Sequence, residues 1–327
     1  MLPEQRKQLL AKLQSDLRIS TMQRLQLHRG EVGRSTYLVT LSSDTTHYIL
    51  SLGEARKSSV FPQGYTYTSI PMGRLIFPRI IASSQRAQWE LEEFIDGTLL
   101  GEQWPHVGLP WPEQLLQKLI GVFWMMQSCF EWHLGYGGLY RWAVDSFQNR
   151  LRLKRWCQVI KQKGYDDPFL EQAYRRIRSL AAVYGPWEKI HGRFALTHIL
   201  KMSSGGFAVI DLAHVRYGMP LQDFGNLLWA SWWHGVEGDT DWLYKYLENI
   251  SHRLYGQCPM GYERQFVRFQ DHTFLDWVWP PVILERVIGT MFDILNRVEH
   301  ANRLIDSPEK EQKLFALMQG LLERYAG

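Results

Sequence analysis

The residues most able to do chemistry lie in the segment 191–223. A His-Gly turn at His191 leads into a short loop that carries Arg193. The apolar run 207–210 then ends in Asp211, and a buried strand that ends in this way places a carboxylate at a cleft. The more ordinary alternative for Asp211 is an aspartate that caps a turn.

Arg193 limits what this loop can do. A guanidinium stays protonated at neutral pH and carries only hydrogen-bond donors, so Arg193 cannot serve as a general base. It can bind a phosphate group through two parallel hydrogen bonds. It can equally pair with Asp211 and take a metal's place with its own positive charge. Both alternatives leave the loop without a base.

The order of these residues resembles the aminoglycoside phosphotransferase family, a small-molecule branch of the protein-kinase-like fold. The family pattern H-G-D-x-H-x-x-N-I-L, then [VI]-I-D-[WF]-x-x-x-R-x-G-x-P-x-x-D, is similar to HGRFALTHIL and VIDLAHVRYGMPLQD in this chain. The resemblance is specific over residues 187–227 and supportive over 47–52 and 90–100. It implies an α+β, protein-kinase-like two-lobed fold with a small antiparallel β lobe and a larger, mostly helical lobe.

The same resemblance assigns roles to individual residues. Asp211 matches the aspartate that chelates magnesium between the nucleotide phosphates, and oxygen ligands suit such a hard cation. His198 stands at the second magnesium-ligand position, where the family has asparagine, so we expect it within about 8 Å of Asp211. His191 is expected to brace the loop. Arg216 and Asp223 match a buried structural pair, and Asp223 is also placed as a helix N-cap.

Three departures from the family fall on chemically separate functions. Arg193 replaces the aspartate that accepts the proton of the substrate hydroxyl. Ser51 replaces the phosphate-binding lysine of the strand pattern [YF]-[VI]-L-K, and Ala195 replaces a second histidine. Lys57 is either a displaced substitute for that lysine or a solvated loop charge.

The segment 90–100 is similar to the family's hinge pattern E-[FY]-[IV]-x-G-x-x-L. By resemblance, Glu92 and Phe94 of this segment are expected to border a nucleotide site together with Ser51 and Lys57. The cofactors that the resemblance implies are ATP and Mg²⁺, and the other expected ligand is a small molecule.

Loss of a general base typically lowers a rate by about 10² to 10⁴-fold. The leading hypothesis is therefore a pseudokinase with a binding or regulatory role. The alternative is an active ATP-dependent kinase that phosphorylates the hydroxyl of a small molecule with a rearranged site built on Asp211, His198 and magnesium. Nucleotidyl transfer is a third, weaker hypothesis.

The hydrophobic periodicity predicts the elements that position these residues. An N-terminal lobe, 1–94, combines a helix with short antiparallel strands, and a C-terminal lobe, 95–327, is mostly helical. Predicted strands span 22–27, 35–41, 47–52, 73–81 and 88–95. Predicted helices span 3–17, 112–135, 143–163, 168–183, 223–234, 240–254, 280–305 and 308–325.

Composition narrows the class of protein. The net charge of +4 on 327 residues is too small to predict nucleic-acid binding. Cys129, Cys157 and Cys258 are far apart and form no C-x-x-C pair, which argues against disulfides or a zinc site and favours a reducing cytoplasm. The N-terminus lacks the apolar core of a signal peptide. No apolar run approaches about 18 residues, so no membrane span is expected.

Overall fold

In the computed structural model, the described residues form two compact units. They are residues 3–25, 35–43, 45–52, 66–69, 73–84, 88–104, 109–131, 137–165, 168–183, 188–212, 215–218, 220–232, 240–257, 272–296 and 307–326. The β unit comprises Met1–Gln103 and Leu196–Val215, and the helical unit comprises Trp104–Ala195 and Arg216–Gly327. Both units are therefore discontinuous in sequence, and the domain boundary at residue 94 stays a prediction.

Among its described residues, the β unit holds two α-helices, a short 3₁₀ helix (Leu196–His198) and two five-stranded sheets. Its elements are α1 (Pro3–Asp16), β1 (Ile19–Arg24), β2 (Ser35–Leu41), β3 (His47–Leu52), β4 (Thr66–Ser69), β5 (Gly73–Ile76), β6 (Ile80–Ser84), β7 (Trp89–Glu93), β8 (Gly97–Leu99), α2 (Leu100–Gln103), β10 (Ile199–Met202) and β11 (Phe207–Val209). The first sheet is antiparallel throughout, in the order β1-β2-β3-β7-β6. The second has the order β4-β5-β11-β10-β8, with β5 and β11 parallel.

The first sheet is set in register by its apolar face. Tyr37 lies opposite Leu50, and both belong to a buried cluster that also includes Val39, Leu91 and Leu13 of α1. Residues that face each other across an antiparallel pair share a face of the sheet, and a slip of one residue would turn all of them outward. Strands β2 and β3 have the bounds that the sequence predicts.

The segment around Pro78 departs from the prediction. A single strand was expected over 73–81, but β5 and β6 lie in different sheets and are separated by residues 77–79. Proline has no N–H to donate to a sheet ladder, so the run cannot continue through this position.

The β10–β11 hairpin brings two predicted site residues to one end of the second sheet. Its turn uses Gly205 and Gly206 at φ values of 89° and 83°, a region that glycine enters without steric cost. A side chain at Gly206 would also lie only 2.3 Å from the carbonyl oxygen of Arg74. Because Ile199 pairs with Val209, His198 lies opposite Ile210 just outside the ladder, and Asp211 directly follows Ile210.

The helical unit contains seven long helices among its described residues, together with a short two-stranded ladder. Its elements are α3 (Glu113–Glu131), α4 (Gly137–Gln162), α5 (Pro168–Val183), β9 (Glu188–Ile190), β12 (Arg216–Gly218), α6 (Pro220–Trp232), α7 (Thr240–Gly256), α8 (His272–Leu295) and α9 (Pro308–Ala326). The predicted switch from short strands to a mainly helical region is confirmed. No helix among the described residues is both long and apolar enough to cross a membrane.

Three helices begin earlier than predicted. Helix α4 begins at Gly137, α6 at Pro220 and α8 at His272. Helix α8 continues through Pro280 and Pro281, although an internal proline costs about 3 kcal/mol. Both prolines are buried, so packing of the apolar helix face offsets the local cost.

Aromatic packing fixes the start of α6. The Phe224 ring lies edge-on to Phe123 of α3, with centroids 5.3 Å apart, and to Trp111 at 6.0 Å. All three side chains are buried. Because Phe224 directly follows Asp223, this packing also holds Asp223 in place.

Candidate functional site

The Asp223 carboxylate holds the His191–Gly192 turn through two short hydrogen bonds. The backbone N–H of His191 donates to Oδ2 at 2.6 Å, and that of Gly192 donates to Oδ1 at 2.7 Å. Gly192 has φ +78°, a conformation that L side chains rarely adopt. Burial raises the pKa of Asp223 to about 7, although the two backbone donors and the nearby guanidinium of Arg216 act in the opposite direction.

Asp223 lies inside α6, so its predicted place as a helix N-cap is wrong. The helix begins three residues earlier, at Pro220, because a proline in the first turn loses no helical hydrogen bond and already has a suitable φ. The carboxylate is therefore directed to the loop rather than to the N–H groups of its own helix.

The His191 side chain is fully buried and contacts the backbone of Arg193. Its Nδ1 accepts a hydrogen bond from Arg193 N at 3.3 Å, and its ring packs against Phe194 at 6.0 Å between centroids. A loop-bracing role requires such contacts, and for His191 that role stays a prediction. The Arg193 side chain is half-buried.

Sequence reasoning missed Glu285, a buried acid on α8. Its Oε1 lies 3.8 Å from Arg216 Nη2, and its Oε2 accepts a hydrogen bond from Gln222 at 2.6 Å. The only signal in the sequence is a single acid within the apolar run VILERVI, and such a residue must be paired when it is buried. Arg216 was expected beside Asp223. In the structure its guanidinium acts on both carboxyl groups, since its charge also lowers the pKa of Asp223.

His198 and Asp211, the two predicted magnesium ligands, lie together in the β unit. His198 Nε2 is 3.4 Å from Asp211 Oδ2, and the N–H of Ile210 donates to the His198 carbonyl at 3.0 Å. The predicted proximity is confirmed. Asp211 has φ +59°, and a non-glycine residue in this region costs about 1–3 kcal/mol, which the surrounding structure must offset.

The chemistry of this pair fits a divalent cation. Ligands at right angles around one ion, each about 2.1 Å from it, lie about 3 Å apart, close to the separation of these two atoms. Within the described ranges no group of three or more His, Cys, Asp or Glu side chains could hold a metal. A cation here would take its remaining ligands from water and phosphate, as Mg²⁺ commonly does. An imidazole nitrogen shifts the preference toward softer ions such as Mn²⁺.

Ser51 lies on the second, polar face of the first sheet. It is directly opposite Thr36 on β2 and Glu90 on β7, and the three side chains are 5%, 8% and 2% exposed. Glu92 follows on the same face and is also buried. The acid beside Ser51 therefore comes from a neighbouring strand. Only the strand register identifies Glu90.

The other predicted cofactor-binding residues are less informative. Phe94 is 36% exposed, and its ring lies edge-on to His47 with centroids 6.1 Å apart. Lys57 lies outside the described residues. The roles of Ser51, Glu92, Phe94 and Lys57 stay predictions.

Comparison with known proteins identifies the family. The model of the phosphotransferase enzyme family, APH, matches residues 25–258, which include both candidate regions. The chain belongs to this family. A search of curated protein sequences found no significant match.

Solved structures support the fold. The chain is similar to amicoumacin kinase hAmiN in complex with AMP-PNP, Ca²⁺ and Ami, with a TM-score of 0.58 and 12% identity over 99% of this chain and 96% of that one. Plasmodium vivax ethanolamine kinase gives 0.55 and 9%, with coverages of 93% and 84%. Choline kinase LicA from Streptococcus pneumoniae gives 0.51 and 12%, with 98% and 100%. The fold is α+β and protein-kinase-like, with an antiparallel β lobe and a larger helical lobe.

Proposed function

We propose that this protein is a pseudokinase of the phosphotransferase family, with a binding or regulatory role in place of catalysis. One observation carries the proposal: the loop that presents the base in the family is fully braced, yet it presents Arg193. Asp223 binds both N–H groups of the turn, and His191 accepts from Arg193 N. A guanidinium has no lone pair with which to accept a proton. A well-formed loop therefore carries a side chain that cannot act as the base.

The polar face of the first sheet supports the same proposal. Phosphoryl transfer depends on positioning and on neutralising the charge of the phosphates. At the position of the family's lysine this chain has Ser51, with the buried carboxyl group of Glu90 directly opposite. A hydroxyl and a carboxyl supply no positive charge to a phosphate.

An active small-molecule kinase is the second candidate, and the His198–Asp211 pair favours it. Its geometry suits one divalent cation, and the backbone of Asp211 retains a costly conformation. Such strain is characteristic of ligand and catalytic sites. When bound, a divalent cation would neutralise phosphate charge, and Asp211 and His198 would hold it. The proton of the acceptor hydroxyl would then need a base other than Arg193.

The ligands we propose are ATP and Mg²⁺ or Mn²⁺, together with a small molecule. The structure of hAmiN contains AMP-PNP and Ca²⁺, which makes a nucleotide with a divalent cation the first pair to test. We further propose a cytoplasmic location without nucleic acid as a partner. The separated cysteines and the small net charge support this part of the proposal.

Thermal unfolding with nucleotide tests the binding half of the proposal. ATP with Mn²⁺ should raise the Tm of the unmodified protein, and Mg²⁺ should act more weakly because one ligand is an imidazole. Asp211→Asn should abolish the metal-dependent part of this shift. It is a matched change, since asparagine also tolerates a positive φ and so keeps the backbone. The Tm shift of Asp223→Asn, which alters the loop but not the pair, serves as the control.

Two results would count against binding through this pair. If the Tm does not respond to nucleotide with either metal, the role of the protein does not involve nucleotide binding. A metal-dependent shift that survives Asp211→Asn would place the cation elsewhere.

A further inference from the structure

Three arginines of the helical unit converge on a single carboxylate. Arg152 of α4 donates to Glu285 Oε1 at 2.8 Å, and Arg286 of α8 donates to the same oxygen at 3.1 Å. Arg216 of β12 lies 3.8 Å from it. Glu285 Oε2 is used by Gln222. We call Arg152, Arg216, Arg286 and Glu285 the arginine cluster.

The arginine cluster carries more positive than negative charge. Asp223, whose pKa burial raises to about 7, is a second carboxyl group on which Arg216 and Arg286 act electrostatically. Burial, and repulsion from the guanidiniums of Arg216 and Arg286, lower the pKa of Arg152 to about 10. The cluster also lies beside the first turn of α6, where the helix dipole adds positive potential. A surplus of charge at a partly buried site favours a bound anion.

Hydrogen-bond donors remain available for such an anion. Each guanidinium has five N–H groups. Among the described residues, Arg152 and Arg286 each donate one hydrogen bond, both to Glu285. The Nε of Arg152 is buried and has no acceptor within the described part of the chain. Glu285 alone therefore cannot satisfy these groups.

The arrangement is both fixed in place and open to solvent. The Arg152 guanidinium lies 4.7 Å from the centroid of the Trp156 ring, and that ring packs closely over Gly289 of α8. The side chains of Arg152, Arg286 and Arg216 are 39%, 22% and 13% exposed. Arg216 thus forms the floor of the cluster, and Arg152 forms its rim. Fixed guanidiniums bind oxyanions bidentately and lose little entropy in doing so.

We propose that the arginine cluster binds the oxyanion of a small molecule, either a phosphate ester or a carboxylate. This site consists of residues of the helical unit alone and uses neither Arg193 nor the His198–Asp211 pair. It is independent of nucleotide binding and therefore goes beyond the proposed function.

The test is the Tm of the full chain titrated with inorganic phosphate and, separately, with citrate, against sodium chloride of equal ionic strength. Phosphate or citrate should raise the Tm to a plateau that chloride does not reproduce. Arg152→Gln should weaken the apparent affinity by about tenfold or more, the loss expected for a charged hydrogen bond. Arg155→Gln, on the exposed face of the same helix, should leave the affinity unchanged. The stronger of the two probes identifies the class of oxyanion.

Further variants keep the proposal falsifiable if Arg152→Gln fails to fold. Arg286→Gln, on α8, should produce a comparable loss, whereas Arg152→Lys keeps the charge and should retain part of the affinity. Equal responses to phosphate, citrate and chloride would mean that the cluster is a structural ion network only. Binding that is lost in Arg193→Gln and kept in both Arg152→Gln and Arg286→Gln would place the anion at the loop and overturn the proposal.

Discussion

The His198–Asp211 pair of the β unit and the His191–Arg193 loop of the helical unit differ in the chemical groups that they present. The pair has two side chains that fit a divalent cation, with ligand atoms 3.4 Å apart. The loop has its supporting hydrogen bonds, but it presents Arg193, whose guanidinium cannot accept a proton. Backbone architecture is present in both regions, whereas, in the function proposed above, one of them lacks acid–base chemistry.

This difference separates binding from transfer. Metal and nucleotide binding depend on charges and ligand geometry, whereas transfer to a hydroxyl also requires positioning of the acceptor and of its proton. Loss of the base alone leaves the first requirement intact. The comparison therefore predicts a protein that binds its ligands but catalyses transfer very slowly or not at all.

The largest expected effect comes from breaking the support of the loop. Asp223→Ala would leave the buried N–H groups of His191 and Gly192 without their acceptor, and each such loss costs about 1–3 kcal/mol. We expect the free energy of unfolding to fall by about 3 kcal/mol or more, as measured by urea denaturation. A loss below about 1 kcal/mol would show that the turn does not depend on this carboxylate. Asp223→Asn, which can still accept one of the two bonds, should cost less.

A somewhat smaller, pH-dependent effect is expected at Glu285. Attraction to the guanidiniums of Arg286, Arg216 and Arg152 outweighs the effect of burial and lowers its pKa from 4.5 to about 2. A depressed folded-state pKa contributes stability above pH 4.5, and that stability is lost as the pH falls toward 2. The shift corresponds to about 3 kcal/mol.

Glu285→Gln should therefore lower the free energy of unfolding by about 3 kcal/mol at pH 7. The gap to the unmodified protein should narrow as the pH falls from 4.5 toward 2. Urea unfolding at pH 7, 5, 4 and 3 measures it. A gap that is the same at every pH would mean that the ionised carboxylate is not what stabilises the cluster.

Much of the site was predictable from short-range order in the sequence. The sequence spacing from the His-Gly turn to Asp211 and Asp223 identified the His191–Arg193 loop, the β10–β11 hairpin and the His198–Asp211 pair. Each of these features depends on residues that are close in the chain. Glu90 and Glu285 were not predictable in this way. Glu90 meets Ser51 only through the pairing of β3 with β7, and Glu285 reaches Arg152 across 133 positions.

Errors in the predicted elements have a related origin. Pro78 divides the hydrophobic run 73–81, which was predicted to form one strand. Pro280 was predicted to begin a helix, but it lies inside one. In the first case the missing backbone donor decides the outcome, and in the second the buried packing does. A proline therefore indicates an element boundary only where tertiary packing does not offset its local cost.

Whether this protein is a pseudokinase is decided by an assay of ATP-dependent phosphorylation of aminoglycosides and related amino-alcohols by the unmodified protein. We expect turnover that is undetectable or very slow, and no recovery in Arg193→Asp alone. Arg193→Asp combined with Ser51→Lys is the fairer reversion, because it supplies both a base and a phosphate-binding charge. The new lysine would stand directly opposite Glu90, at the distance of a cross-strand ion pair. Robust turnover by the unmodified protein that is lost in Asp211→Ala would rule out a pseudokinase and would show that a rearranged set of residues performs the transfer.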